Sequence, residues 1–165
     1  MGDLILNVFN NHKALIIFFH IMSASVLIGS MFVIIFIIRP IGIQEKDISI
    51  KCGKCLMTLK RFIIFLVPAM LILVSASVFM NIGMGFEYGD PTAFIMIHIK
   101  ESIWLFIAFN FMYIYKKYLN AKKAYRKEDY LVVQENIILI MKYLVPLNLV
   151  CSLIAVYFGI LIKGY

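Results

Sequence analysis

Little in the 165-residue chain can build a water-soluble domain: no internal repeat, low-complexity tract or Pro/Gly-rich linker divides it. It lacks a glycine-rich phosphate loop and any hydrolase nucleophile motif, so neither nucleotide chemistry nor acyl transfer has a foothold. Acidic residues are scarce, 9 Asp and Glu against 16 Lys and Arg. Only three cysteines are present, and a single Cys-x-x-Cys without a second cannot complete a zinc tetrahedron. No dense Met-x-x-Met cluster occurs among the 10 methionines. What the chain does have is apolar length, with 63% of its residues hydrophobic.

That hydrophobicity gathers into four runs, Ala14–Ile38, Phe62–Ile82, Ala93–Tyr115 and Ile137–Ile162. Each reaches the ~20 residues needed to cross ~30 Å of hydrocarbon. Backbone groups in lipid must bond within their own segment, so the runs are expected to be helices. The expectation is an all-α, integral membrane four-helix bundle that uses residues 1–165 as one domain. The first run is too long, and its flanks too weakly basic, for a cleaved signal peptide.

Orientation follows from the basic residues. Arg39, Lys46, Lys51, Lys54, Lys60 and Arg61 fill the first connection, and Lys116, Lys117, Lys122, Lys123, Arg126 and Lys127 the third. The Met84–Thr92 connection has Glu87 and Asp90 and no basic residue, while Lys13 and Lys163 flank the bundle. Basic loops stay in the cytoplasm. Both termini are therefore expected on the outer, periplasmic side of a bacterial inner (plasma) membrane, with Cys52 and Cys55 inside. This placement also accounts for the net charge of +7 without a nucleic-acid partner. The Lys116–Glu135 segment, alternating Tyr, Lys and Glu, is expected to extend the third helix into the cytoplasm.

Ionisable residues inside a span are costly to bury and mark functional sites by default. His20 and His98 each lie about six residues, hence ~9 Å, from the same end of their spans. Two imidazoles at matched depth on different helices suit the axial ligation of a haem iron. The competing reading is two unrelated histidines, each satisfied by a serine or a backbone carbonyl. Ser23, Ala24 and Ser25 lie just below His20, and Ser75, Ala76 and Ser77 reach its level on the second helix. Small residues at one depth admit close helix packing or leave room for a flat ligand.

His98 and Glu101, three apart, share a helical face, so Glu101 can orient His98 or move protons. Lys100 points to another face, where it can anchor a carboxylate or pair with Glu101. Asn110, Asn148 and Pro146 mark a deeper polar region, open to a kink and to hydrogen bonds between helices. Lys142 reads as a snorkelling residue and Trp104 as packing. Cys52-Gly53-Lys54-Cys55 can exchange electrons or bind a soft metal. It is not a c-type haem attachment site, since Leu56 stands where that motif needs His. In a reducing cytoplasm it also reads as two free thiols, and Cys151 as a small buried side chain. Met22, Met80, Met84 and Met96 share the outer half with His12, His20 and His98, a donor set that suits Cu(I).

On these residues the chain resembles the small four-helix membrane proteins grouped around the HemJ-type protoporphyrinogen oxidases and the CopD copper-resistance domain. The resemblance rests on His20 in the first span, Lys60-Arg61-Phe62 followed by Pro68-Ala69-Met70, Ile97-His98-Ile99-Lys100, and Val145-Pro146. The chain departs from the HemJ pattern in having no Trp in the first helix and no Leu-Pro-Arg-Leu-Phe run at its end. Arg39-Pro40 there is similar to CopD domains.

The resemblance implies a haem b or copper site near the outer side. In the haem case His20 and His98 ligate iron, Lys100 holds a propionate or an acidic porphyrin substrate, and Glu101 accepts a proton. Electrons would pass to a quinone or a respiratory-chain partner. In the copper case His20, His98, Met22 and Met96 form an outward-facing relay. A third expectation is a non-catalytic subunit that assembles or stabilises a respiratory complex. Lipid, a porphyrin, a respiratory partner and further copies of the chain are the partners these readings imply.

Overall fold

The computed structural model describes residues 2–40, 45–84 and 91–163, and the elements formed there are helical. Helix α1 (Gly2–Val33) widens into a π turn at Ile34–Ile38. Helix α2 runs over Ile48–Met84 and α3 over Pro91–Tyr125. Helix α4 (Tyr130–Ile138) passes through a second π turn, Leu139–Leu144, into α5 (Val145–Lys163). Counted as rods, these are four helices long and apolar enough to cross a membrane. Their surface agrees with that reading. Phe36, Phe65, Met112 and Ile160 all stand outward, and apolar exposure of this kind around a whole bundle is not tolerated in water.

Packing closes the rods into a ring. Helix α1 lies chiefly along α2, and α3 along the α4–α5 rod, with α2 against α3 and α1 against α5 completing the circuit. The continuous core occupies only one end of this ring. It takes Leu27 and Met31 from α1, Ile34 from the π turn that follows, Cys52 to Leu73 positions from α2, Ile107 to Ala124 positions from α3, and Val133 to Leu149 positions from the last rod. That is the end carrying the basic connections. The opposite end, before Leu27 in α1 and beyond Leu73 in α2, contributes no fully buried residue to the cluster, with Ala24 packed against its edge.

The rods outrun the apolar segments at the basic end. Helix α2 starts at Ile48, well before the expected boundary at Phe62. Asp47 supplies the start: its Oδ1 accepts from the Ser49 and Ile50 amides at 2.8 and 3.1 Å, the pattern of an N-cap. Four basic residues expected in a loop, Lys51, Lys54, Lys60 and Arg61, are thus helical. Lys54 donates to Glu45 at 2.6 Å and holds that carboxyl below the usual carboxylate range. Helix α3 runs past the expected span end at Tyr115 but only to Tyr125, short of the expected Glu135, and the chain then turns sharply. Glu128 takes a positive φ of 58°, and Asp129 caps α4 by accepting from the Val132 amide at 3.3 Å.

A proline follows each of the two π turns, whereas Pro68 is accommodated inside α2 without one. A proline ring clashes with the carbonyl four residues earlier and offers it no donor. Both π turns end one residue before the residue that precedes a proline. The Arg39 amide bonds to Ile34 O just before Pro40, and the Val145 amide to Ile140 O just before Pro146. The wider turn carries the chain past each ring without breaking the helix. Asn110 braces the second one from α3, its amide donating to Leu144 O at 3.2 Å and to Asn148 Oδ1 at 2.7 Å. The deeper polar region is thus an interhelical bond set at a π turn.

At the end without the core, α1 and α2 are held by a close approach. Phe9 is 2% exposed and its ring lies against the backbone of Gly83, where any Cβ would overlap it. Gly83→Ala is expected to displace the ring and destabilise the bundle by about 1–3 kcal/mol. Unfolding of the two forms in mixed detergent would measure it, and equal stability would show that α1 and α2 are not locked at this point.

Candidate functional site

Where the core stops, the ring of helices leaves a half-open chamber of about 700 Å³, with exposed Ile21 and Ile160 on its rim. Small side chains make the space: Ala24, Ser25 and Gly29 on α1, Ser77 on α2 and Gly159 on α5 all line it. The volume falls within the ~300–1,000 Å³ typical of small-molecule and cofactor sites. Apolar walls from Ile17, Ile28 and Val156 surround a few polar groups, which are His20, Asn81 and Lys100 besides the serines. Met80 adds a thioether.

His20 reaches the chamber from α1, and its Nδ1 lies 3.3 Å from Ser77 Oγ on α2. The level predicted for Ser77 is therefore the one at which the two side chains meet. Asn81 follows Ser77 by four residues, one turn along the same face of α2. Its amide donates to Glu101 Oε1 at 2.8 Å. Glu101 Oε2 in turn lies 3.3 Å from His98 Nδ1. A line of polar groups thus runs from Asn81 at the chamber through Glu101 to His98. Asn81 was not legible as a site residue, although its spacing from Ser77 was the available signal.

His98 does not line the chamber with His20. It is separated from Lys100 by two residues, about 200° around a helix, and Lys100 is the one turned inward. His98 lines a shallow groove of about 520 Å³ on the other side of α3, with Phe94, Ile103 and Cys151. Its ring meets the Phe94 ring edge-on at 4.3 Å, and its side chain is 56% exposed. Two imidazoles on one iron would need α3 to rotate about its axis. Among the described residues, His20 is the one imidazole that lines the chamber.

Lys100 and Glu101, considered as an ion pair from the sequence, do not form one among the described residues; Glu101 is engaged by Asn81 and His98 instead. Met22, two residues from His20, falls on the opposite face of α1 and is 47% exposed. Neither Met22 nor Met96 lines the chamber. Among the described residues no group of three His, Cys, Asp or Glu side chains is arranged around a metal. The side chains of Met84, Glu87, Asp90 and Lys163 lie outside the described residues.

Cys52 and Cys55 are reduced and buried at the basic end, 1% and 7% exposed. Gly53 between them has a packing task. A Cβ there would sit 2.9 Å from the Tyr125 hydroxyl, which donates to Ser49 O at 3.5 Å while Tyr130 donates to Ser49 Oγ at 3.1 Å. Part of the Cys-x-x-Cys motif thus serves to join α2, α3 and α4.

No family model matches the chain, and no curated protein or solved structure shows a significant similarity to it.

The geometry assigns Glu101 to Asn81 and His98. In a double-mutant cycle, Asn81→Ala with Glu101→Ala is expected to show a coupling of about 0.5–1.5 kcal/mol. A larger coupling between Lys100→Met and Glu101→Gln, read from unfolding of the four forms, would instead restore the adjacent ion pair.

Proposed function

We propose that the protein is an integral membrane redox protein that holds haem b in the chamber between α1, α2, α3 and α5. The observation that carries this reading is the convergence of one imidazole, His20, and one ammonium, Lys100, on a largely apolar chamber of about 700 Å³. A tetrapyrrole with acidic side chains asks for those three things: an apolar slot, a nitrogen donor and a cation for a carboxylate. Both histidines on one iron do not fit this arrangement, whereas His20 on one side does. Bound haem would supply one-electron chemistry at its iron.

The chain's own residues then have separate tasks. Ser77 holds the His20 ring through Nδ1, leaving Nε2 as the donor. Lys100 fixes the carboxylate edge of the ligand, and the apolar wall keeps water from the rest. Asn81 keeps Glu101 turned toward the chamber side of α3, where the carboxylate and His98 can pass a proton outward. Oxidation of a protoporphyrinogen-like substrate, with electrons leaving to a quinone or respiratory-chain partner, is the reaction that the resemblance to HemJ-type proteins favours. A second reading rests on Met80. With His20 it gives the chamber an imidazole and a thioether, donors that suit Cu(I) and copper handling of the CopD kind.

The purified protein is expected to show a Soret band and a sharp reduced α-band. His20→Ala should remove most of the haem, whereas His98→Ala should retain it. Loss in both variants would support a paired site after a rotation of α3. Bound copper without a Soret band would favour the second reading, and neither signal would leave a structural subunit. Lys100→Met should lower haem affinity about tenfold, the loss of one charge-assisted bond to a carboxylate. A normal affinity would remove Lys100 from the site.

The basic end faces the cytoplasm in this proposal, with both termini outside. Cys52 and Cys55 are too buried to report sidedness. A cysteine at exposed Lys123, with the three native cysteines replaced by serine, is expected to react with an impermeant thiol reagent only after the cells are opened. Reaction in intact cells would invert the orientation.

A further inference from the structure

A second cavity, of about 300 Å³, lies at the basic end and plays no part in the chamber's chemistry. Three cationic side chains from three elements line it. Arg39 comes from the end of the α1 rod, Lys51 from the first turn of α2, and Lys142 from the π turn between α4 and α5. Gln134 of α4 adds an amide. Like charges placed together repel one another, so their gathering around a recess favours an anion there.

Among the described residues the protein does not provide that anion. No acidic side chain lines the cavity, and among the described residues none of the three cations takes part in an ion pair. The nearby carboxylates are committed or turned away. Glu45 is held by Lys54, Asp47 caps α2, and Glu135 is exposed on a different face from its neighbour Gln134. The cavity's remaining wall is formed by Ile137, Ile138 and Met141 together with the buried thiols of Cys52 and Cys55. A polar, cationic mouth above an apolar wall matches an amphiphile better than a free ion.

We propose that this cavity binds a phosphate group, carried by an anionic phospholipid of the leaflet adjoining the basic end. Arg39 and Lys51 hold phosphate oxygens by charge-assisted bonds, Arg39 with the geometry to take two of them. Gln134 donates a further bond, and Lys142, exposed at the rim, adds charge. The acyl chains lie along Ile138, exposed on the outside of the last rod. Such a lipid would fasten α1, α2 and the α4–α5 rod to one another.

The test uses the full chain in a neutral detergent, with short-chain phosphatidylglycerol, short-chain phosphatidylcholine and inorganic phosphate as separate probes. Phosphatidylglycerol is expected to raise the unfolding midpoint saturably, and phosphatidylcholine is not. Lys51→Gln and Arg39→Gln should each weaken phosphatidylglycerol binding about tenfold. Lys123→Gln, which removes an exposed charge at the same end, should leave it unchanged, and Lys51→Arg should retain it. An equal response to inorganic phosphate at millimolar concentration would keep the phosphate site but assign it to a soluble ligand. The proposal is overturned if no probe gives a saturable shift, or if Lys123→Gln weakens binding as much as Lys51→Gln. That last result would mean diffuse surface charge.

Discussion

Every backbone amide and carbonyl that enters hydrocarbon must find its partner inside the chain, and the architecture follows from that constraint. It makes four helices out of four apolar runs, and it governs what happens where a helix is interrupted. Pro40 and Pro146 each threaten to strip a carbonyl of its donor. In both places the helix answers by widening into a π turn whose last bond reaches back five residues. At the second, Asn110 supplies an additional donor across the bundle. Pro91 needs no such device, because it opens α3, where the first amides have no helical partner in any case.

Because lipid tails are as apolar as leucine, burial alone does not draw these rods together; close packing and polar bonds decide where they touch. At the basic end, large interdigitating side chains and the Ser49, Tyr125 and Tyr130 bonds close the ring. At the other end small residues replace them on the inner faces, and the helices leave a half-open chamber. Phe9 against Gly83 prevents α1 and α2 from separating there. One end therefore carries the stability and the other carries the space. A site that must admit a sizeable ligand benefits from that division, since removing bulk at the chamber leaves the main core intact.

The helices, their approximate spans and the level at which His20 meets Ser77 were legible in the sequence, because length and rise per residue determine them. Polar Asn110 and Asn148 beside Pro146 were legible as a group for the same reason. The early start of α2 was not, although Asp47 before Ile48 is an N-cap pattern; the basic residues that follow suggested a loop, yet lysine and arginine are good helix formers. Asn81 was missed because an asparagine near the end of an apolar run looks like the start of a turn. Its value appears only when Glu101 of the neighbouring helix is brought within 2.8 Å. Depth along an axis can be counted from sequence, but rotation about the axis depends on which faces pack.

Rotation decides the chemistry of α3. His98 and Lys100 are two residues apart, so a helix that turns one of them inward turns the other out. The packing chooses Lys100 for the chamber, and it places Glu101 between the two, bonded to Asn81 on one side and to His98 on the other. A rigid helix cannot offer His98 and Lys100 to the same ligand at once. Turning α3 to bring His98 inward would break the Asn81–Glu101 bond and move a lysine toward lipid, a costly exchange. Within this packing, then, His20 and Lys100 line the chamber, and His98 is joined to it through Glu101 and Asn81.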